Sequence, residues 1–191
     1  MASIKGTRTE KNLLTSFAGE SQARNRYTFF ASVAKKEGYV LIADLFLETA
    51  EQEKEHAERM FKYLEGEMVE ITASYPAGVI GNTLENLRQA AAGEHAEWTH
   101  DYPGFARVAD EEGFTQIAAM YRAVSKSEKY HEERYNKLAA HLENDTMFKS
   151  AEPTTWRCRH CGYIHEGTGA PEKCPACLHA KAYFERLAET F

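Results

Sequence analysis

Between residues 117 and 142 the apolar positions recur with helical spacing. Ile117, Tyr121, Val124, Glu128, His131, Tyr135, Leu138 and Leu142 follow a 4-3-4-3-4-3-4 pattern, one face of an α-helix with a glutamate and a histidine at its middle. Ile42, Phe46, Thr49, Glu53, His56, Met60 and Tyr63 repeat it earlier in the chain. Leu13 and Phe17 lead to Glu20, and Leu87 and Ala91 lead to Glu94, so four apolar stripes each carry a carboxylate at comparable depth. From Thr7 to Asn144 the chain is rich in Ala, Leu, Glu, Lys and Gln, all good helix formers. Gly38, Gly113 and the stretch from Glu67 to Gly81, with Pro76 and Gly78, divide it into helices expected near 7–36, 39–66, 81–111 and 114–143. Long helices with short joints predict a mainly α fold built on an antiparallel four-helix bundle.

The bundle is also a repeat. Ala18-Gly19-Glu20 returns as Ala92-Gly93-Glu94 at an offset of 74. Tyr27 returns as Tyr102, Glu37-Gly38 as Glu112-Gly113, and Glu53-x-x-His56 as Glu128-x-x-His131, all at an offset of 75. One extra residue therefore enters the third helix between Glu94 and Tyr102, as a π-bulge or as a kink at Pro103; the pattern allows either. After Asn144 the alternation shortens and glycines, aromatics and cysteines appear. Residues 145–154, with Pro153, read as a linker, which divides the chain into a bundle over 1–146 and a linker plus small β/metal-knuckle unit over 147–191. So short a unit needs a metal for part of its folding energy.

Hydrophobic residues are 43% and charged residues 27% of the 191-residue chain, a globular balance. The net charge of −6 provides no basic field for nucleic acid. No apolar run reaches the length of a membrane span. The start of the chain lacks the apolar core of an export signal, so a cytoplasmic location is expected. In such a compartment four cysteines confined to residues 158–177 read as a metal site rather than a disulfide framework.

A single glutamate in a helical seam is an ordinary edge residue. Four sharing one dry core repel one another and resist ionisation unless cations join them. A glutamate from each of two helices plus Glu-x-x-His from the other two is the di-iron or di-manganese arrangement of ferritin-like bundles, and oxygen and imidazole donors suit iron or manganese. The candidate ligands are Glu20, Glu53, His56, Glu94, Glu128 and His131. Glu97, three residues after Glu94, has no acidic counterpart in the first repeat; it is either an exposed acid or a seventh ligand, and the ligand is favoured. Tyr27 and Tyr102 are core aromatics or phenols that orient metal-bound carboxylates. Arg24 is expected to project to solvent, and the remaining histidines to lie at the surface. Cys158-x-x-Cys161 and Cys174-Pro-x-Cys177 make a tetrahedral thiolate site for zinc or one iron, with Trp156, Tyr163, Tyr183 and Phe184 available to cover it.

Cys-x-x-Cys-Gly-Tyr with Cys-Pro-x-Cys resembles rubredoxin, and a ferritin-like bundle joined to such a module resembles the rubrerythrin family over essentially the whole chain. The gap between knuckles is shorter than in free-standing rubredoxin, and Leu178 stands where glycine is usual. The resemblance implies a non-haem di-iron peroxidase of oxidative-stress defence that reduces hydrogen peroxide to water. Its cofactors would be two iron ions in the bundle and one held by the four cysteines. It implies that one iron shifts between Glu97 and His56. It further implies a homodimer with the rubredoxin-like module of one chain near the bundle of the other, and a rubredoxin or an NAD(P)H-dependent oxidoreductase as electron donor. A ferroxidase or iron-handling protein, and a zinc-ribbon interaction module on a helical bundle, are the alternatives.

Overall fold

The computed structural model describes residues 2–188; residue 1 of the expected bundle unit and residues 189–191 of the C-terminal unit lie outside the described residues. Four long helical runs form the bundle: α1 (Arg8–Lys36), α2 (Val40–Phe61), a third run made of α3 (Thr83–Ala96), a π-helical turn (Glu97–Asp101) and α4 (Tyr102–Glu111), and α5 (Thr115–Glu143). α1 packs along α2, and α3 and α4 pack along α5.

Local chemistry sets the ends of these helices. Thr7 accepts the Glu10 backbone N–H, and Glu10 reaches back to the N–H of Gly6 at 2.8 Å. Asn82 and Glu85 form a reciprocal capping box on α3. The two hairpin turns are copies of one motif. Gly38 and Gly113 take φ of +88° and +83°, and the residue after each donates to the carbonyl five residues back, Tyr39 to Ala34 and Phe114 to Ala109. This is a Schellman stop, which needs the left-handed backbone that glycine adopts without strain.

α2 ends at Phe61, five residues before the expected 66. The chain from Lys62 to Asn82 carries no helix or strand and crosses to the second hairpin, anchored where Tyr75 Oη donates to the Thr15 carbonyl at 2.7 Å. The extra residue of the third run is resolved as the π turn, with the N–H of Tyr102 reaching the carbonyl of Glu97; Pro103 sits in the first turn of α4.

The bundle core is two apolar clusters. One gathers Tyr27, Phe30, Ile42, Phe46, Leu87 and Tyr135; the other gathers Leu13, Met60, Tyr102, Ile117, Tyr121 and Val124. Outside both clusters, yet buried in the same bundle, lie Glu20, Glu53, Glu94, Glu128 and His131.

The C-terminal module is a three-stranded antiparallel sheet in the order β2-β1-β3, with β1 (Lys149–Cys158) between β2 (Ile164–Gly169) and β3 (Phe184–Arg186). β1 occupies much of the stretch expected to be a linker. Pro153 falls within it where the pairing to β2 shifts register between Lys149 and Thr154, the kind of irregularity that admits a residue without an N–H. Trp156, Cys158, Ala170, Cys174 and Phe184 form its small core. The module meets the bundle through Tyr39 stacked on Phe148 and through Arg159, whose guanidinium donates to Asp44 at 2.8 Å. Among the described residues no helix is long and apolar enough to cross a membrane.

Candidate metal centres

The helical seams bring six of the seven bundle residues singled out by the sequence into two overlapping donor sets. Glu20, Glu53, His56 and Glu128 form one; Glu53, Glu94, Glu128 and His131 form the other. Glu53 and Glu128 belong to both, which makes them the natural bridging carboxylates. His56 Nδ1 lies 3.1 Å from Glu53 Oε2, 3.0 Å from Glu128 Oε1 and 3.7 Å from Glu20 Oε1. His131 Nδ1 lies 2.9 Å from Glu128 Oε2, 3.2 Å from Glu53 Oε1 and 3.7 Å from Glu94 Oε2. Metal–ligand bonds of about 2.1 Å place neighbouring donors of an octahedron about 3.0 Å apart, so the spacing within each set fits donors to one ion, with Glu53 and Glu128 turning one oxygen toward each set.

The polar accounting agrees. Glu20 Oε2, Glu53 Oε1, Glu94 Oε2, both oxygens of Glu128 and His131 Nδ1 are buried without a hydrogen bond in proper geometry. Orphaned acceptors at this density are costly in a dry core unless a cation satisfies them. Burial first, and then the neighbouring carboxylates, push Glu20 well above the usual carboxylate range and Glu94 to about 8. The imidazoles go the other way: burial lowers them, but Glu128 and Glu53 outweigh it and raise His56 to about 10 and His131 to about 12. Burial also works against ionisation of Glu53, yet both histidines hold it at about 2. The cluster attracts positive charge, and its oxygen and imidazole donors fit iron.

Both tyrosines orient carboxylates, each across the repeat. Tyr27 Oη donates to Glu94 Oε1 at 2.5 Å, and Tyr102 Oη donates to Glu20 Oε1. Burial and these carboxylates raise both phenols well above their ordinary value, so each stays a donor. Tyr27→Phe and Tyr102→Phe should each lower iron retention or turnover by about 10–100-fold, the usual cost of losing such a support. Iron content after dialysis, set beside the far-UV spectrum, checks this; unchanged iron and turnover would return the phenols to plain packing.

Glu97 stays beside the cluster: burial first, and then the Glu94, Glu128 and Glu53 carboxylates, raise it well above the usual carboxylate range. It begins the π turn, is half-buried, belongs to neither donor set, and lines a cavity of about 470 Å³ with Gln22, Arg26, Tyr75 and Tyr102. Arg24 pairs with Glu51 at 3.3 Å on the exposed surface, as expected. His95 and His100 pair with Glu132 and Asp101. Gln52, which the seam pattern does not single out, accepts from His131 Nε2 at 3.0 Å; its place directly before Glu53 is its only sequence signal.

In the C-terminal module the four thiols converge, with Cys158 to Cys177 at 3.8 Å and Cys161 to Cys174 at 3.7 Å. Metal–sulfur bonds of about 2.3 Å give tetrahedral edges of about 3.8 Å. Burial raises the Cys174 thiol, but the backbone N–H groups of Cys177 and Ala176 and the adjoining thiols bring it to about 7, toward the thiolate a metal needs. Trp156 and Phe184 are buried against the site, and Tyr163 and Tyr183 cover it in part. His160 and His179 stack beside it with ring centres 3.6 Å apart, an arrangement the surface expectation for these histidines did not include.

A bundle with two carboxylate–imidazole donor sets sharing two glutamates, joined to a four-thiol knuckle, defines a ferritin-like di-iron carboxylate protein with a rubredoxin-like module. The comparisons agree. Residues 11–139 match the Rubrerythrin family, and residues 156–185 match its rubredoxin-like domain. The rubrerythrin of Porphyromonas gingivalis is 61% identical over 99% of this chain and 94% of its own length. That of Nitratidesulfovibrio vulgaris is 56% identical over 98% of both. Nigerythrin solved in a mixed-valence state covers 98% of this chain and 94% of that one, with a TM-score of 0.61 and 29% identity; it has also been solved fully reduced, all ferrous. The chain belongs to the rubrerythrin family.

Proposed function

We propose that this chain reduces hydrogen peroxide to water in the cytoplasm, H2O2 + 2e− + 2H+ → 2H2O, taking electrons through its four-thiolate centre. The observation that carries the reading is the pair of donor sets sharing Glu53 and Glu128, with a further carboxylate, Glu97, held just outside them beside a cavity. Two ferrous ions held in the bundle would supply the two electrons that cleave an O–O bond, and iron held by the four thiolates would supply single electrons to restore them. Glu20, Glu53, Glu94, Glu128 and His131 would hold the pair. In this reading Glu97 and His56 would alternately fill one position; in support, His56 belongs to a donor set and Glu97 lies beside it. Tyr27 and Tyr102 keep their protons at Oη and fix the Glu94 and Glu20 carboxylates while that exchange takes place. The surrounding apolar clusters exclude bulk water from the donors. The solved redox states of nigerythrin support redox cycling at such a site.

A homodimer completes the electron path. Within one chain the module meets α2 at Asp44, nine residues and about 14 Å along the helix from Glu53; in the dimer of this reading the module of one chain would serve the bundle of the other. A rubredoxin or an NAD(P)H-dependent oxidoreductase would reduce the thiolate centre.

The test is anaerobic stopped-flow of the reduced, iron-loaded protein against peroxide and, separately, dioxygen, with visible absorption reporting the thiolate centre. Fast reoxidation by peroxide, slow by dioxygen, and at least tenfold slower with peroxide in Glu97→Ala is the expected result. A thiolate centre left reduced while free ferrous iron is consumed would replace this reading with a ferroxidase.

A further inference from the structure

The repeat makes Glu53-x-x-His56 and Glu128-x-x-His131 equivalent by sequence, and the structure makes their outer sides different. The residue directly before each glutamate is Gln52 in α2 and, at an offset of 75, Ser127 in α5. Gln52 crosses from α2 to α5, where its Oε1 lies 3.0 Å from His131 Nε2. Because His131 Nδ1 faces the carboxylates, Nε2 must carry the proton, and Gln52 accepts it. One bond thus sets both the tautomer and the orientation of the ring. The serine at 127 has its oxygen two carbons nearer the backbone, and among the described residues His56 Nε2 has no hydrogen-bond partner. The His56 side chain is also the more open, 16% exposed against 3% for His131.

We infer that Gln52 is a positioning residue that locks His131 as the permanent imidazole of the site, and that serine at position 127 leaves His56 unlocked. A twofold-related pair of motifs becomes one fixed and one releasable ligand through a single amide. The asymmetry determines which half of the site can exchange an imidazole for Glu97. The inference deepens the peroxide reading only in what the motion serves; the lock itself does not depend on that reading.

Loading the full chain with Zn2+, which is diamagnetic, makes the lock visible as slow solvent exchange of an imidazole N–H by proton–nitrogen NMR. In the parent chain the His131 Nε2–H should exchange at least tenfold more slowly than that of His56. Gln52→Leu keeps the volume without the acceptor and should erase the difference, while Ser127→Gln should slow His56 toward the rate of His131. In a Co2+ titration of the stripped chain, with the four-cysteine site followed separately by its thiolate absorption, Gln52→Leu should weaken one of the two bundle binding steps by about 10–100-fold and leave the other. Equal exchange at both histidines in the parent, or an unchanged titration in Gln52→Leu, would overturn the inference. If the leucine variant does not fold, Gln52→Glu offers a stronger acceptor and should slow His131 exchange further; faster exchange there would equally overturn it. A chain that shows the N–H asymmetry but does not reduce peroxide would remove the functional reading and leave the lock.

Discussion

Stripping both metal ions from the bundle should lower its melting temperature by about 15–30 °C. Each ion held at a thousandfold excess over its Kd stabilises the folded chain by about 4 kcal/mol. In a chain of this length each kcal/mol moves the midpoint by about 2–4 °C. The physical source is the set of buried carboxylate oxygens without hydrogen-bond partners on Glu20, Glu53, Glu94 and Glu128, at most 1% exposed as residues. The loss should deepen as pH rises. In the stripped chain His56 and His131 titrate near 10 and 12, above their ordinary 6.5, so their contribution is full below about 6.5 and lost as pH rises through those values. Glu94, raised to about 8, acts in the same direction, with its contribution lost as pH climbs through 8. Glu53 acts oppositely, but only in acid: held near 2, it contributes above about 4.5 and loses this as pH falls toward 2. Between pH 6 and 9 the stripped protein should therefore destabilise while the loaded one changes little, because its donors are already committed to metal. Differential scanning calorimetry with and without chelator checks both statements. Equal midpoints, or a stripped protein that gains stability from pH 6 to 9, would show that the cluster does not act as a metal site.

The seam that carries this prediction was visible in the chain because helical periodicity and the 75-residue offset both point to the same glutamates and histidines. The hairpin stops were legible for the same reason, since the same Glu-Gly pair serves both Schellman turns. What the pattern missed depends on distant partners. Nothing local ends α2 at Phe61; the residues up to Glu65 read as helix. Instead Glu65 is drawn out to accept from Ser3 Oγ at 2.6 Å and the Ile4 N–H at 3.1 Å, contacts more than sixty residues apart in sequence. The choice between a π turn and a proline kink also rests on contacts across the fold. Thr99 Oγ1 donates to the His95 carbonyl and Ser125 Oγ to that of Trp98, so carbonyls that the wider turn disturbs still find donors. Glu97 shows the limit most directly. Its backbone keeps α-helical spacing from Glu94, with its N–H reaching the Gly93 carbonyl, and burial with the Glu94, Glu128 and Glu53 carboxylates raises its acid. Yet it falls outside both donor sets, a matter of side-chain placement that spacing does not encode. β1 hid within an apparent linker because its exposed stretch alternates weakly and contains a proline, and only pairing with β2 and β3 makes it a strand.

Replacing Cys174 with serine should unfold the C-terminal module while sparing the bundle, and the same variant can test how electrons travel. Cys174 is fully buried and forms part of a core of five residues, too few to hold the sheet without metal. Four-thiolate sites contribute about 10–16 kcal/mol to small folds of this kind, so loss of one buried ligand removes most of what holds the three strands together. The bundle has its own two clusters and touches the module mainly through the Tyr39–Phe148 stack and the Arg159–Asp44 pair, whose members are 25% and 49% exposed. Such a pair is worth no more than about 1 kcal/mol and an aromatic pair about 0.5–1.5 kcal/mol, so the bundle's midpoint should move by less than about 10 °C. Expected for Cys174→Ser are loss of the thiolate–iron absorption, collapse of the module's amide dispersion, retained iron in the bundle, and no turnover with a reductant that enters through the module. Mixing this chain with Glu97→Ala, which keeps its module but has a disabled bundle site, then separates two electron paths. If the module of one chain serves the bundle of its partner, subunits exchanged into mixed dimers should recover up to about a quarter of the parent turnover: half the dimers are mixed, and each has one working pair of centres. No recovery after verified exchange would place transfer within a single chain. A Cys174→Ser chain that keeps its colour and sheet would show that the four cysteines do not hold the module's metal.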